Sequence, residues 1–116
     1  MPILDKLDRE PDAIRPGVDS WLHVNGELGA QSLMVASHSF APESRVLPHV
    51  HSVEEAMVVL EGELEAVLGD EVVTVRSGQT VLAPAGTRHG FVNRSRTRAR
   101  LMAIFPVGSV ELEVAD

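Results

Sequence analysis

Short runs of alternating apolar and polar residues, broken by glycine and proline turns, fill most of this chain; that period of two predicts an all-β fold. The runs place strands near Ser20 to Val24, Gln31 to Phe40, Val46 to His51, Glu55 to Leu60 and Leu64 to Leu68. Four more follow near Glu71 to Arg76, Thr80 to Pro84, His89 to Asn93 and Arg98 to Phe105. Glu27-Leu28-Gly29, Leu68-Gly69-Asp70, Ser77-Gly78 and Ala85-Gly86 supply turns between them. Many short strands at this spacing suit a sandwich or a barrel. Residues 1–16, charged and carrying Pro2, Pro11 and Pro16, read as an arm with a helical turn at Ile3 to Arg9. At the other end Val110 to Val114 alternates as an added edge strand would. There is no internal repeat, and the whole chain, 1–116, is expected to form one domain with an arm of about 1–19 and a barrel core of about 20–106.

Two of these strand pairs carry three of the five histidines. The first reads His49-Val50-His51, three residues, Glu55, six residues and Gly62. The second reads Gly78, five residues, Pro84-Ala85-Gly86, two residues, His89, three residues and Asn93. Residues two apart on a strand face the same way at roughly 6.5 Å, so His49 and His51 can converge on one ion. Glu55 would lie roughly 13 Å beyond His51 on a continuous strand, so the chain must turn near Ser52-Val53-Glu54 for it to join them. An isolated H-x-H is more often a pair of exposed histidines. Five further fixed residues, expected by composition on the order of once in 10⁵ chains of this length, shift the balance to a metal site. Imidazole and carboxylate together suit Fe, Mn, Zn, Ni or Cu, and no thiolate narrows the choice.

These two segments resemble the paired motifs of the cupin superfamily, G-x5-H-x-H-x3-E-x6-G and G-x5-P-x-G-x2-H-x3-N. The second fits without a gap; the first departs at its leading glycine, where this chain has Glu43, so that a turn using glycine's freedom at positive φ would have to be built differently. The resemblance, to a small single-domain cupin, covers roughly Gln31 to Phe105. It implies a double-stranded β-helix, a jelly-roll barrel, with one divalent transition metal held in its mouth by His49, His51, Glu55 and His89.

The bulk properties agree. A domain of 116 residues buries about two-thirds of its unfolded surface without needing disulfides, and the chain has no cysteine for one or for a thiolate catalyst. The N-terminus lacks an apolar signal-like stretch, and no run approaches the ~20 apolar residues of a membrane span. We expect a soluble, cytoplasmic protein that does not engage membranes. A net charge of −7 argues against nucleic-acid binding, which rests on Lys and Arg at phosphates. Arg94, Arg96, Arg98 and Arg100 alternate, but a solvated hairpin accounts for that pattern better than anion recognition does.

Strand parity then assigns the surroundings of the ion. If Glu55 and His89 point inward, so do Met57, Val59 and Phe91; Met34, His38, Met102 and Ile104 are further candidate lining residues of less certain face. All of these apolar residues could equally be core filling. Ala56, Val58 and Leu60 then point outward, and a strand apolar on both faces is usually covered on both, here by a second subunit in a homodimer. His23 and His38 match no motif position and read as surface or boundary residues. Glu54 is a neighbour of the ligand and not the ligand. Glu43, Arg45 and Arg88 read as charges on the rim of the mouth, placed to orient a carboxylate substrate or simply to face water.

Four protein ligands on an ion that accepts five or six leave positions for water, dioxygen or a bidentate substrate. The chain has no tyrosine, which excludes a tyrosine acid or base. With apolar walls and no spare carboxylate inside, oxygen chemistry needs the fewest extra groups. The first expectation is therefore a dioxygenase-type oxidoreductase acting on a small organic compound that chelates the ion. The alternatives are a non-oxidative isomerase or lyase and a non-catalytic module that binds or senses a small molecule.

Overall fold

The computed structural model describes residues 2–6, 10–13, 15–110 and 113–114. Among the described residues are ten strands: β1 (Val18–Val24), β2 (Met34–Phe40), β3 (Arg45–Val50), β4 (Glu55–Glu61), β5 (Glu63–Leu68), β6 (Glu71–Arg76), β7 (Thr80–Ala83), β8 (His89–Val92), β9 (Ala99–Phe105) and β10 (Glu113–Val114). They form two five-stranded antiparallel sheets, β1-β2-β9-β4-β7 and β10-β3-β8-β5-β6; apart from the hairpins β1-β2 and β5-β6, successive strands cross between them as in a jelly roll. Each alternating run became a strand, with shifted ends. β1 starts at Val18, because Val18 and Asp19 pair with Phe40 and Ser39. β2 starts only at Met34, because Gln31 and Ser32 form a bend.

The arm is docked. Asp12 and Ser20 exchange backbone hydrogen bonds of 2.7 and 2.8 Å, adding a bridge to the outer edge of β1, and the Lys6 ammonium sits 4.4 Å from the Trp21 ring. Residues 7–9 of the expected helical turn lie outside the described residues. The expected C-terminal edge strand is β10, where Glu113 and Val114 pair with Val50 and His49; residues 111–112 lie outside the described residues.

The core lies between the sheets. β4 and β9 turn Met57, Val59, Leu101 and Phe105 inward against Leu64, Ala66 and Phe91 of the facing sheet, each 6% exposed or less. Asn93 is wholly buried and holds the far end of the barrel together. Its Nδ2 donates to the carbonyls of Phe40 and Thr97, and its Oδ1 accepts from the backbone and hydroxyl of Ser95. That network fixes the turn before β9, and it explains why an amide is wanted at this place in the motif.

The Glu43 turn corrects an expectation. The backbone is not built differently: Glu43 itself adopts φ 69° and its N–H donates to the Asn93 carbonyl at 2.6 Å. A side chain stands where glycine would be unstrained.

Of the four alternating arginines, Arg94 pairs with Glu65, Arg98 donates to Ser39 and Arg100 lies 3.5 Å from Glu61. These contacts fit the solvated-hairpin reading. Among the described residues no helix is long and apolar enough to cross a membrane.

Candidate metal centre

β3 and β8 run antiparallel with His49 opposite His89. A bulge between Val46 and His49, containing Pro48, lets both residues face the interior although they are three apart. After His51 the chain bends at Ser52 and Val53 and crosses to the other sheet, where Glu55 opens β4. This is the turn the spacing required. The His51 carbonyl accepts from Gly86 at 2.8 Å, tying the crossing to the loop before β8.

His49 Nδ1 donates to the Leu47 carbonyl at 2.8 Å, and His89 Nδ1 donates to the Thr87 carbonyl at 2.9 Å. A carbonyl only accepts, so both Nδ1 atoms carry hydrogen and both Nε2 atoms face the centre. His89 Nε2 lies 2.7 Å and His51 Nε2 3.4 Å from Glu55 Oε1. The four candidate ligand atoms all lie within 4.8 Å of one another, and all four residues are buried. Bonds of about 2.0–2.2 Å to a common point put opposite donors about 4.4 Å apart at most, so small side-chain adjustments suffice to gather an ion.

The electrostatics suit a cation. Burial, with the neighbouring His89, His51 and Arg15, pushes His49 down to about 4 despite its bond to Leu47, so it is a neutral ligand at pH 7. Burial also pulls on His89, but its hydrogen bond to Glu55, its bond to the Thr87 carbonyl and the Glu55 charge outweigh that and raise it. The raised His89 thus marks a place beside Glu55 that favours positive charge. A bound cation would supply that charge.

The site opens into a cavity of about 340 Å³ between the sheets. Met57, Phe91 and Met34 line it. Val59, also named from parity, is 1% exposed and packed in the core, outside that lining. Met102 is a correction: β9 turns Ala99, Leu101, Ala103 and Phe105 inward, which puts Met102 and Ile104 on the outer face, opposite Val58 and Ala56. Glu54 also lies outside, beside Ala56 and Leu82. Glu43 and Arg45 are not at the mouth; they sit by Asn93 at the opposite end of β3 and β8. Arg88 flanks His89 without lining the cavity, and its Nε is buried with no hydrogen-bond partner among the described residues.

Conversely, His38 is inside, with Ser20 and Trp21 of β1 and with Asp12 and Arg15 of the arm. Nothing in the local pattern marks Asp12 or Arg15. They reach the cavity because the Asp12–Ser20 bridge folds the arm along the sheet edge.

A cupin domain family model matches residues 37–105. The chain belongs to the cupin domain family. It is 31% identical over 101 residues to the polyketide synthase CurC of Streptomyces cyaneus, covering 86% of this chain and 66% of that relative's length. The polyketide cyclase RemF from Streptomyces resistomycificus superposes with a TM-score of 0.86 at 21% identity, over 100% of this chain and 86% of that one. Oxalate decarboxylase from Bacillus subtilis superposes with a TM-score of 0.83 at 14% identity, over 94% of this chain and 30% of that one. At those identities the two structures show the shared fold alone.

The donor set fits a divalent transition metal. His49, His51, His89 and Glu55 would hold it, with neutral imidazoles and one carboxylate leaving the ion a net positive charge. The short His89–Glu55 contact marks the place where positive charge is already wanted.

Proposed function

We propose that this cupin is a metal-dependent enzyme acting on a small enolisable carbonyl compound that chelates the ion through two oxygens. The observation that carries the reading is the inward convergence of three imidazole Nε2 atoms and one carboxylate at the wall of a largely apolar cavity. A bound ion supplies Lewis acidity and open positions for oxygen ligands. The chain does the rest. Met57, Phe91 and Phe105 keep water from the reacting carbons, and the Leu47 and Thr87 carbonyls hold His49 and His89 in the ligating tautomer.

The similarity to CurC and RemF favours carbonyl chains of the polyketide type, rearranged or cyclised without net oxidation. The apolar walls favour a second reading, dioxygenase-type oxygenation of the same class of compound. An oxygen electrode and mass spectrometry, run with benzoylacetone on protein loaded in turn with Fe(II), Mn(II), Zn(II), Ni(II) and Cu(II), separate them. Product formation without oxygen uptake supports the first, stoichiometric uptake the second. Binding without turnover under any metal leaves a non-catalytic binding module.

We further propose a homodimer through the outer face of the first sheet. Leu82 and Leu60 are 56% and 40% exposed there, beside Ala56, Val58, Met102 and Ile104.

A further inference from the structure

The metal ligands occupy only one end of the cavity. Met34 pairs with Phe105 and Ala56 with Ile104, so Met34, Phe105 and Glu55 stand in one row across β2, β9 and β4. His38 pairs with Leu101, which pairs with Val59, two inward-facing rows further down. Four residues along a strand amount to roughly 13 Å, and β2 lies two strands from β4, roughly 10 Å across. His38 therefore cannot share the ion, yet its side chain lines the same cavity.

At that end His38 Nδ1 and Ser20 Oγ are 2.6 Å apart, and Ser20 is the residue that the arm grips through Asp12. Between the two ends the walls are Ala36 and Met57, with Leu101 in the row of His38 and Phe40 one row beyond it, all apolar. We propose that Ser20 and His38 form a second polar subsite, which selects an elongated, mainly apolar substrate with a chelating oxygen pair at one end and a hydroxyl or carbonyl oxygen at the other. This rests on the enolisable-carbonyl reading above and specifies its substrate class. A compact dianion would leave the far pair and the apolar middle unfilled.

The charge state agrees. Burial and the Arg15 guanidinium lower His38 to about 4, with Asp12 opposing, so the ring is neutral at pH 7. Nδ1 is committed to Ser20, which leaves Nε2 and the hydroxyl to meet an uncharged oxygen. The cavity volume, at the low end of the roughly 300–1,000 Å³ usual for ligand pockets, admits one or two rings and not a large polycycle.

The test uses Zn(II)-loaded and metal-free protein with benzoylacetone and its para-hydroxyphenyl analogue, read by calorimetry and by the fluorescence of Trp21, the single tryptophan, which lines the cavity. The hydroxyl analogue should bind about tenfold tighter, the effect of one satisfied hydrogen bond in a dry site. In His38→Leu and in Ser20→Ala that advantage should fall below about twofold, while zinc stoichiometry stays as in wild type. The milder Ser20→Ala decides if His38→Leu fails to fold. Metal-free protein should keep the hydroxyl preference at lower overall affinity. Equal binding of the two probes to wild type, or a preference that survives both variants, overturns the subsite. A wild-type preference that the two variants abolish, with neither probe gaining affinity from zinc, supports the subsite and overturns the metal-enzyme reading.

Discussion

Gly90→Ala perturbs the centre without touching a ligand. Gly90 lies between His89 and Phe91, and a Cβ there would stand 2.7 Å from the Val46 carbonyl oxygen, 2.9 Å from Pro48 N and 3.0 Å from Pro48 Cα. All three atoms are backbone of the bulge that aims His49, so no side chain can swing away. Relief must come from moving β3 against β8. Overpacking of a rigid site costs about 1–3 kcal/mol, and contacts this short with backbone put the expectation near 3 kcal/mol. The same movement separates His49 from His89, which should weaken metal binding about 10- to 100-fold, as other losses of ligand positioning do. Urea unfolding and zinc calorimetry read the two effects. Gly69→Ala is the control. There φ is +61° but nothing lies within 4 Å of the added Cβ, so it should cost only about 1 kcal/mol and leave zinc affinity unchanged. A Gly90→Ala protein within about 0.5 kcal/mol of wild type, with unchanged zinc affinity, would show that the packing of β3 on Gly90 does not set the position of His49.

Glu43→Gly should stabilise by about 0.5 kcal/mol in urea unfolding, because relief of the left-handed strain exceeds the entropy added to the unfolded chain, and metal content should not change. Metal-free protein should lose stability as pH falls from 6.5 towards 4, since unfolded His38 and His49 bind protons that the native forms refuse; each is worth up to about 3 kcal/mol. His89 acts in the opposite sense: its pKa is raised in the fold, so its contribution is complete below about 6.5 and fades as pH climbs through the folded value. Urea midpoints from pH 4 to 8 for wild type and His38→Gln check the sign, the variant having the shallower acid limb. Light scattering should give a dimer of the 12.5 kDa chain at micromolar concentration and a monomer for Val58→Asp; a wild-type monomer would reject the interface.

The ligands were legible because motif spacing and strand parity agree, and because the reach needed by Glu55 forces the turn that the chain makes. Parity failed on β9. Leu101 and Ala103 alternate with Met102 and Ile104, so both faces are apolar and nothing local says which is inside; only the register with β4 decides. The face of His38 stayed open for a related reason, since Ser37, His38 and Ser39 are polar on both faces of β2 and all are at least half-buried. The Glu43 turn kept its backbone despite losing its glycine, because the hydrogen bonds between Glu43, Ser44 and Asn93 outweigh the strain of one residue. Contacts between distant segments, such as the Asp12–Ser20 bridge, leave no trace in a pattern of neighbours.

The metal site rests on His49, His51, Glu55 and His89 holding one ion between them. Elemental analysis of protein purified without a histidine tag, followed by zinc titration after chelation, tests it directly. Wild type should carry one divalent transition metal per chain, and His51→Ala none bound stoichiometrically, with its fold intact. A wild type that takes up no ion, or a His51→Ala protein with unchanged metal content, would contradict that shared site.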